Sequence, residues 1–152
     1  EMEEAVDIIT MGEGPSAAIG PKNFWRILLR LGQLYGTRNH PKRAVKIAEH
    51  AARLAESTGN RVGAARAYAT LAGLYENIGD HKGAREFRRK AIEGMRELGD
   101  RRSTAELLLA GSQPTKTIHR ITPESLREAR LLAEEVGWDE GVRRAQRASL
   151  NE

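Results

Sequence analysis

The chain repeats itself at an interval of 40 residues, and this period constrains its fold more than any other feature of the 152-residue sequence. Leu31, Leu34, Tyr35, Ala44, Ala51 and Gly59 recur as Leu71, Leu74, Tyr75, Ala84, Ala91 and Gly99. Matches of apolar or glycine type at one offset mean that one supersecondary unit has been copied. Such a unit buries its apolar face by stacking on its neighbours.

Within each copy the periodicity is helical. Leu28, Leu31 and Tyr35 lie on one face of a helix expected over 24–37. A second helix opens at His40-Pro41, with proline at the first helical position, where its missing N–H does no harm. It runs through Ala44, Ile47, Ala48, Ala51 and Leu54, and Gly59 stops it. The second copy follows the same plan. Tyr68, Leu71, Ala72 and Tyr75 line its first helix, Gly79-Asp80 makes the turn, and Ala84, Phe87, Ala91, Ile92 and Met95 lead to Gly99. Short turns make the helices antiparallel pairs, and small residues at crossings (Gly32, Ala72, Ala44, Ala84) let backbones approach closely.

A third copy is partial. Ala105, Leu108 and Leu109 start a helix, but Thr115 stands at the tyrosine position and Gly111–Ile121, with Pro114, interrupts the pattern. Thr122-Pro123-Glu124 then supplies an N-cap, a proline and an early acid. Residues 131–137 echo 53–59, and a last helix is expected from Asp139 through Val142 and Ala145. The chain thus divides into a helix remnant and loop at 1–21, units at 22–60 and 61–100, and an irregular unit at 101–152, all in one domain.

The order Tyr68, Leu71, Ala72, Tyr75, Gly79-Asp80, Ala84 and Ala91 resembles the tetratricopeptide repeat signature. Residues 25–60 resemble it more loosely through Leu28, Leu31, Gly32, Tyr35, Ala44 and Ala51. The 40-residue spacing is longer than the usual unit and is similar to the long-helix variant of bacterial signalling ATPases, quorum-sensing regulators and kinesin light chains. Two departures stand out: Asn39 replaces the first turn glycine, and neither unit has the closing proline. The resemblance implies an all-α, right-handed solenoid of antiparallel helix pairs, about three units long. It also implies a concave groove lined by the first helix of each pair. Carried over position by position, that groove comprises Arg26, Leu29, Arg30, Gln33 and Thr37, then Arg66, Ala69, Thr70, Gly73, Glu76 and Asn77, and lastly Glu106 and Leu109. Three arginines on one wall suit an acidic peptide or partner helix, because guanidinium binds carboxylate bidentately. The lysine–asparagine clamp of chaperone-tail binders is not reproduced, since Leu29 and Gln33 occupy the equivalent positions.

Composition removes most other functions. Leu, Ile, Val and Phe sum to about 20%, at the edge of what a packed core requires. The 21 alanines offset this by serving helix crossings. With no cysteine, disulfides, thiolate nucleophiles and cysteine zinc sites are excluded, and a reducing, cytoplasmic setting is compatible. No apolar run reaches a membrane span, no signal peptide is expected, and a start at Glu1 suggests a fragment of a larger protein. His40, His50, His81 and His119 form no i,i+3 or i,i+4 pair that a zinc site on one helix would need. The Gly14–Lys22 stretch fails the P-loop pattern in its glycine spacing, in Pro21 before the lysine and in Asn23 after it.

The expectation is therefore a non-enzymatic protein–protein interaction module, without cofactor or metal, from a bacterial signalling or regulatory protein. Two alternatives remain. Residues 1–20 carry a net charge of −5 and residues 21–60 of +6. That basic region and the clusters Arg38/Lys42/Arg43/Lys46, Arg85/Arg88/Arg89/Lys90 and Arg143/Arg144/Arg147 permit a nucleic-acid-binding helical repeat, although no aromatic platform accompanies them. Self-association is the other, since an uncapped solenoid end exposes apolar surface, with Trp138 as its marker or as packing of the last helix pair.

Overall fold

A computed structural model describes residues 21–37, 40–110 and 122–150. Those residues form seven α-helices and no strand: α1 (Pro21–Thr37), α2 (Pro41–Ser57), α3 (Arg61–Asn77), α4 (His81–Glu97), α5 (Arg101–Ala110), α6 (Pro123–Glu135) and α7 (Asp139–Ser149). The first four are 17 residues long and begin at positions 21, 41, 61 and 81, one helix and turn for each half of the sequence period. α1 begins three residues earlier than the apolar pattern alone predicts, because proline is acceptable in a first helical turn. The expected helix remnant and loop before Pro21, and the interruption within 111–121, lie outside the described residues. No described helix is long and apolar enough to cross a membrane.

One turn recurs between the helices, and local chemistry dictates it. Gly59, Gly79, Gly99 and Gly137 sit at φ +66°, +79°, +70° and +66°, which glycine adopts without steric cost. The glycine N–H and the following N–H fold back onto the helix end, as in Gly59 to the Glu56 carbonyl (3.0 Å) and Asn60 to the Ala55 carbonyl (2.7 Å). This is the Schellman closure, which satisfies the orphan carbonyls. The next residue caps the following helix: Asn60, Asp80 and Asp100 accept from the backbone N–H of Gly63 (2.8 Å), Gly83 (3.0 Å) and Ser103 (3.0 Å). At the first turn the glycine position falls at Asn39, outside the described residues, yet the His40 N–H still reaches the Tyr35 carbonyl at 3.1 Å. Thr122 caps α6 as expected, accepting from Ser125 at 3.2 Å, with Pro123 in the first turn.

The chain separates into two compact units, residues up to Phe87 and residues from Arg88 onward. This division falls inside α4 and not at the sequence-unit borders after 60 and 100.

In unit 1, α1 packs on α2, α2 packs on α3, and α1 touches α3. Phe24, Trp25, Leu28 and Leu29 of α1 meet an alanine-rich face of α2 (Ala44, Ala48, Ala51, Ala52, Ala55), with Leu71 and Leu74 of α3 completing the core. Small residues set the crossing distances. A side chain on Gly32 would come within 3.3 Å of the Ala44 carbonyl oxygen. At Gly63 one would lie 2.8 Å from the Trp25 ring and 3.0 Å from Ala55. The scarcity of bulky residues is thus met by close backbone approach. Tyr68 and Tyr75 pack beside this core against Phe87, Tyr75 stacked at a centroid distance of 5.3 Å and Tyr68 tilted at 6.0 Å.

In unit 2, α5 packs on α6 and α6 on α7 around Leu108, Leu109, Leu126, Ala129 and Ala145. Ile92, Leu132, Trp138 and Ala148 border that cluster. The Trp138 ring lies so close over Gly141 that any side chain there would overlap it, and the Arg102 guanidinium sits 4.0 Å above the ring centroid. Trp138 therefore packs the last helix pair, the second of the two roles its sequence position allowed. Consecutive antiparallel helices within each unit make the chain an all-α helical repeat.

Candidate functional site

Two rows of side chains share one register on α1 and α3. Arg26, Arg30, Gln33 and Thr37 stand at i, i+4, i+7 and i+11, and so do Arg66, Thr70, Gly73 and Asn77, 40 positions later. That spacing puts each row on one helix face over about 16 Å of axis. Since α1 and α3 touch, the rows belong to neighbouring helices of unit 1. Arg26, Arg30, Gln33, Thr37, Arg66, Gly73 and Asn77 are exposed, and Ala69 and Thr70 are half-buried.

The face is positively charged and its arginines are uncommitted. α1 contains no acidic residue. Among the described residues no carboxylate partners Arg26, Arg30 or Arg66. The two acids of α2, Glu49 and Glu56, accept hydrogen bonds from α3 tyrosines. The Tyr75 hydroxyl donates to Glu49 at 2.8 Å and the Tyr68 hydroxyl donates to Glu56. Burial, reinforced by these carboxylates, pushes both phenols up to about 12. On α2, burial and then the Arg53 charge hold His50 below the ordinary imidazole value.

The remaining sequence-derived positions divide by what the fold does with them. Leu29 is only 7% exposed and belongs to the unit 1 core, so it cannot offer its side chain to a partner as a groove position. The reason is helical phase: it follows Leu28 around the same buried arc of α1. Thr37 and Thr70 turn their hydroxyls inward, donating to the carbonyls of Leu34 (2.9 Å) and Arg66 (3.1 Å). Glu76 is half-buried, with His81 Nδ1 3.5 Å from its carboxylate. Glu106 and Leu109 belong to unit 2, where Arg102 binds Glu106 at 2.7 Å and Leu109 is fully buried. Arg26, Arg30 and Gln33 on α1 and Arg66 and Asn77 on α3 are therefore exposed polar groups of two helices that touch.

One exposed side chain beside this row is a repeat position and not one of the expected groove positions. Leu34 is 44% exposed, whereas its counterpart Leu74 is 6% exposed. Leu74 reaches back to α1, where its methyl lies 3.0 Å from the position a side chain would take on Gly36. The corresponding side of α1 meets no described helix. Nothing in the spacing distinguishes the two leucines.

No group of three or more His, Asp or Glu residues among those described could hold a metal ion. Residues 65–93, spanning most of α3 and α4, match the family model of the tetratricopeptide repeat. No curated protein matched the chain.

Proposed function

Taking as premise that residues 65–93 make this a tetratricopeptide-repeat protein, we propose that the chain is a non-enzymatic protein–protein interaction module. Its α1–α3 face takes an acidic peptide or partner helix. Such repeats typically bind protein partners. The observation that supports the finer reading is that Arg26, Arg30 and Arg66, on two touching helices, are exposed and engage no carboxylate among the described residues. A guanidinium offers a planar fork of donors that matches a carboxylate in bidentate fashion. Gln33 and Asn77, with both donor and acceptor capacity, flank the arginines and suit a peptide backbone. A signalling or regulatory parent protein and a cytoplasmic setting remain parts of the proposal, supported by the family resemblance and the lack of cysteine.

The test is a charge reversal. Arg30→Glu combined with Arg66→Glu should abolish binding of a fluorescein-labelled peptide of Glu, Ala and Leu, measured by anisotropy. Because both side chains are exposed, the melting temperature should barely move. Retained affinity would refute the assignment of this face.

A second reading has its own observation. Residues 21–87 hold 12 Lys and Arg against 5 Asp and Glu, and Lys42, Lys46 and Arg53 on α2 are exposed without an acidic partner among the described residues. This favours a polyanion such as nucleic acid. Phosphate binding would release counterions, so affinity for random duplex DNA would fall steeply with salt. A flat salt dependence would remove this reading.

A further inference from the structure

We propose that Gly73 is the point at which an acidic partner helix crosses α3, its lack of a side chain letting the partner backbone close down while Arg66 and Arg30 take carboxylates. This rests on the acidic-partner reading of the α1–α3 face and specifies how that partner lies on it.

Five other helical glycines each have an atom of the fold against them. A side chain on Gly32 would meet the Ala44 carbonyl oxygen at 3.3 Å, and one on Gly36 would meet Leu74 at 3.0 Å. Gly63 lies under the Trp25 ring at 2.8 Å, Gly83 lies under Tyr75 at 2.8 Å, and Gly141 lies under Trp138. Each is therefore small because something in the fold sits on it. Gly73 has nothing within 4 Å of the position a side chain would take, and its φ is not in the left-handed region. It lies well inside α3, where glycine is a poorer helix former than alanine. Neither packing nor backbone geometry within the described residues calls for glycine there.

Its surroundings point to an external neighbour. Gly73 is exposed and stands in the row of Arg66 and Asn77, and Gln33 holds the same register position on the adjacent α1. The protein already shows what glycine does at such a place. α1 closes on α2 at Gly32 against Ala44 and Ala48, and α2 and α3 meet where Ala55 faces Gly63. In both, glycine on one helix faces alanine on another. Gly73 offers one half of a crossing of the same kind, beside arginines that no described carboxylate engages. The occupant it fits is a helix with a small residue at the crossing and carboxylates on either side.

Gly73→Ala separates this role from a neutral one, because the substitution should move stability and binding in opposite directions. With no atom in the way, alanine should raise the melting temperature of the free protein. The added methyl should hold the partner helix off and weaken binding of the helical Glu/Ala/Leu peptide about tenfold, with Gly73→Leu weakening it further. A peptide of the same composition broken by prolines should bind wild-type protein less well. Three results would overturn the inference. If Gly73→Ala raises the melting temperature and leaves affinity unchanged, the crossing is wrong, while the arginine face stands as long as the Arg30/Arg66 reversal still abolishes binding. If the proline-broken peptide binds equally well, the helical partner is wrong. If the helical peptide fails to bind wild-type protein, the acidic-partner reading fails and takes this inference with it.

Discussion

The two compact units share the glycine turn and side-chain N-caps, yet they deploy particular arginines differently. In unit 2, Arg96 grips Glu128 through three hydrogen bonds of 2.6–3.0 Å. There too Arg101 pairs with Glu135 (3.0 Å), Arg102 with Glu106 (2.7 Å), Arg130 with Glu134 (3.0 Å) and Arg143 with Glu140 (3.2 Å). Residues 88–152 hold 13 basic against 11 acidic side chains, so partners are at hand. In unit 1 the described residues leave Arg26, Arg30 and Arg66 without a carboxylate, and the two acids of α2 are taken by tyrosine hydroxyls. The comparison teaches that an arginine count says little about binding, because some arginines pair internally, as these five in unit 2 do, while Arg26, Arg30 and Arg66 meet no described carboxylate.

The largest expected effect bears on the cores. Trp25 is 5% exposed under Gly63, so Trp25→Ala should cost unit 1 about 3–5 kcal/mol. Trp138 is half-buried and held by Gly141 and Arg102, so Trp138→Ala should cost unit 2 about 1–2 kcal/mol. Trp25 and Trp138 are the chain's two tryptophans, so each variant keeps one fluorescent reporter for urea titration. Equal losses would show that the two cores are not differently built.

An intermediate effect concerns alkaline pH, and its sign follows from the tyrosines. Folding raises the Tyr68 and Tyr75 phenols from 10.0 to about 12, so the unfolded chain releases these protons first. Their contribution to stability is present below pH 10 and is lost as pH rises toward 12. Unit 2 contains no tyrosine, so loss of helix in this range should be confined to unit 1. Circular dichroism melts of Tyr68→Phe and Tyr75→Phe should show a flatter pH response than wild type. An unchanged slope would remove the tyrosine–glutamate pairs as its cause.

The smallest effect belongs to the ion pairs themselves. Arg96 and Glu128 are both largely exposed, at 51% and 37%, so a double-mutant cycle of Arg96→Ala and Glu128→Ala should give a coupling of about 0.5–1 kcal/mol that shrinks with salt. A much larger coupling would mean that unit 2 depends on its pairs for stability and does not merely satisfy its charges with them.

Much of the fold was legible because its instructions are local. Pro41, Thr122-Pro123 and the glycines at 59, 79, 99 and 137 each act within one turn of chain, and all of them do in the structure what their positions suggest. The groove positions were legible only in part. Arg26, Arg30 and Arg66 are exposed, but Leu29 went to the core because one step of helical phase separates a wall from a floor. Leu34 and Leu74 are identical in the repeat and differ in burial because only Leu74 has a described helix to lie against.

The sequence by itself determined the period, the helix ends and the turns, since capping and glycine geometry act over a few residues of one chain. It also determined that a basic excess would gather in residues 21–60. Tertiary structure alone decided which charges pair between helices, as Arg96 with Glu128 and Arg101 with Glu135, because such pairing depends on what another helix places within about 4 Å. It alone distinguished Gly63, pressed under an indole ring, from Gly73, where no described atom lies within 4 Å of the place a side chain would take. A glycine reads the same in either setting; only the atoms brought against it from elsewhere in the chain give it a role.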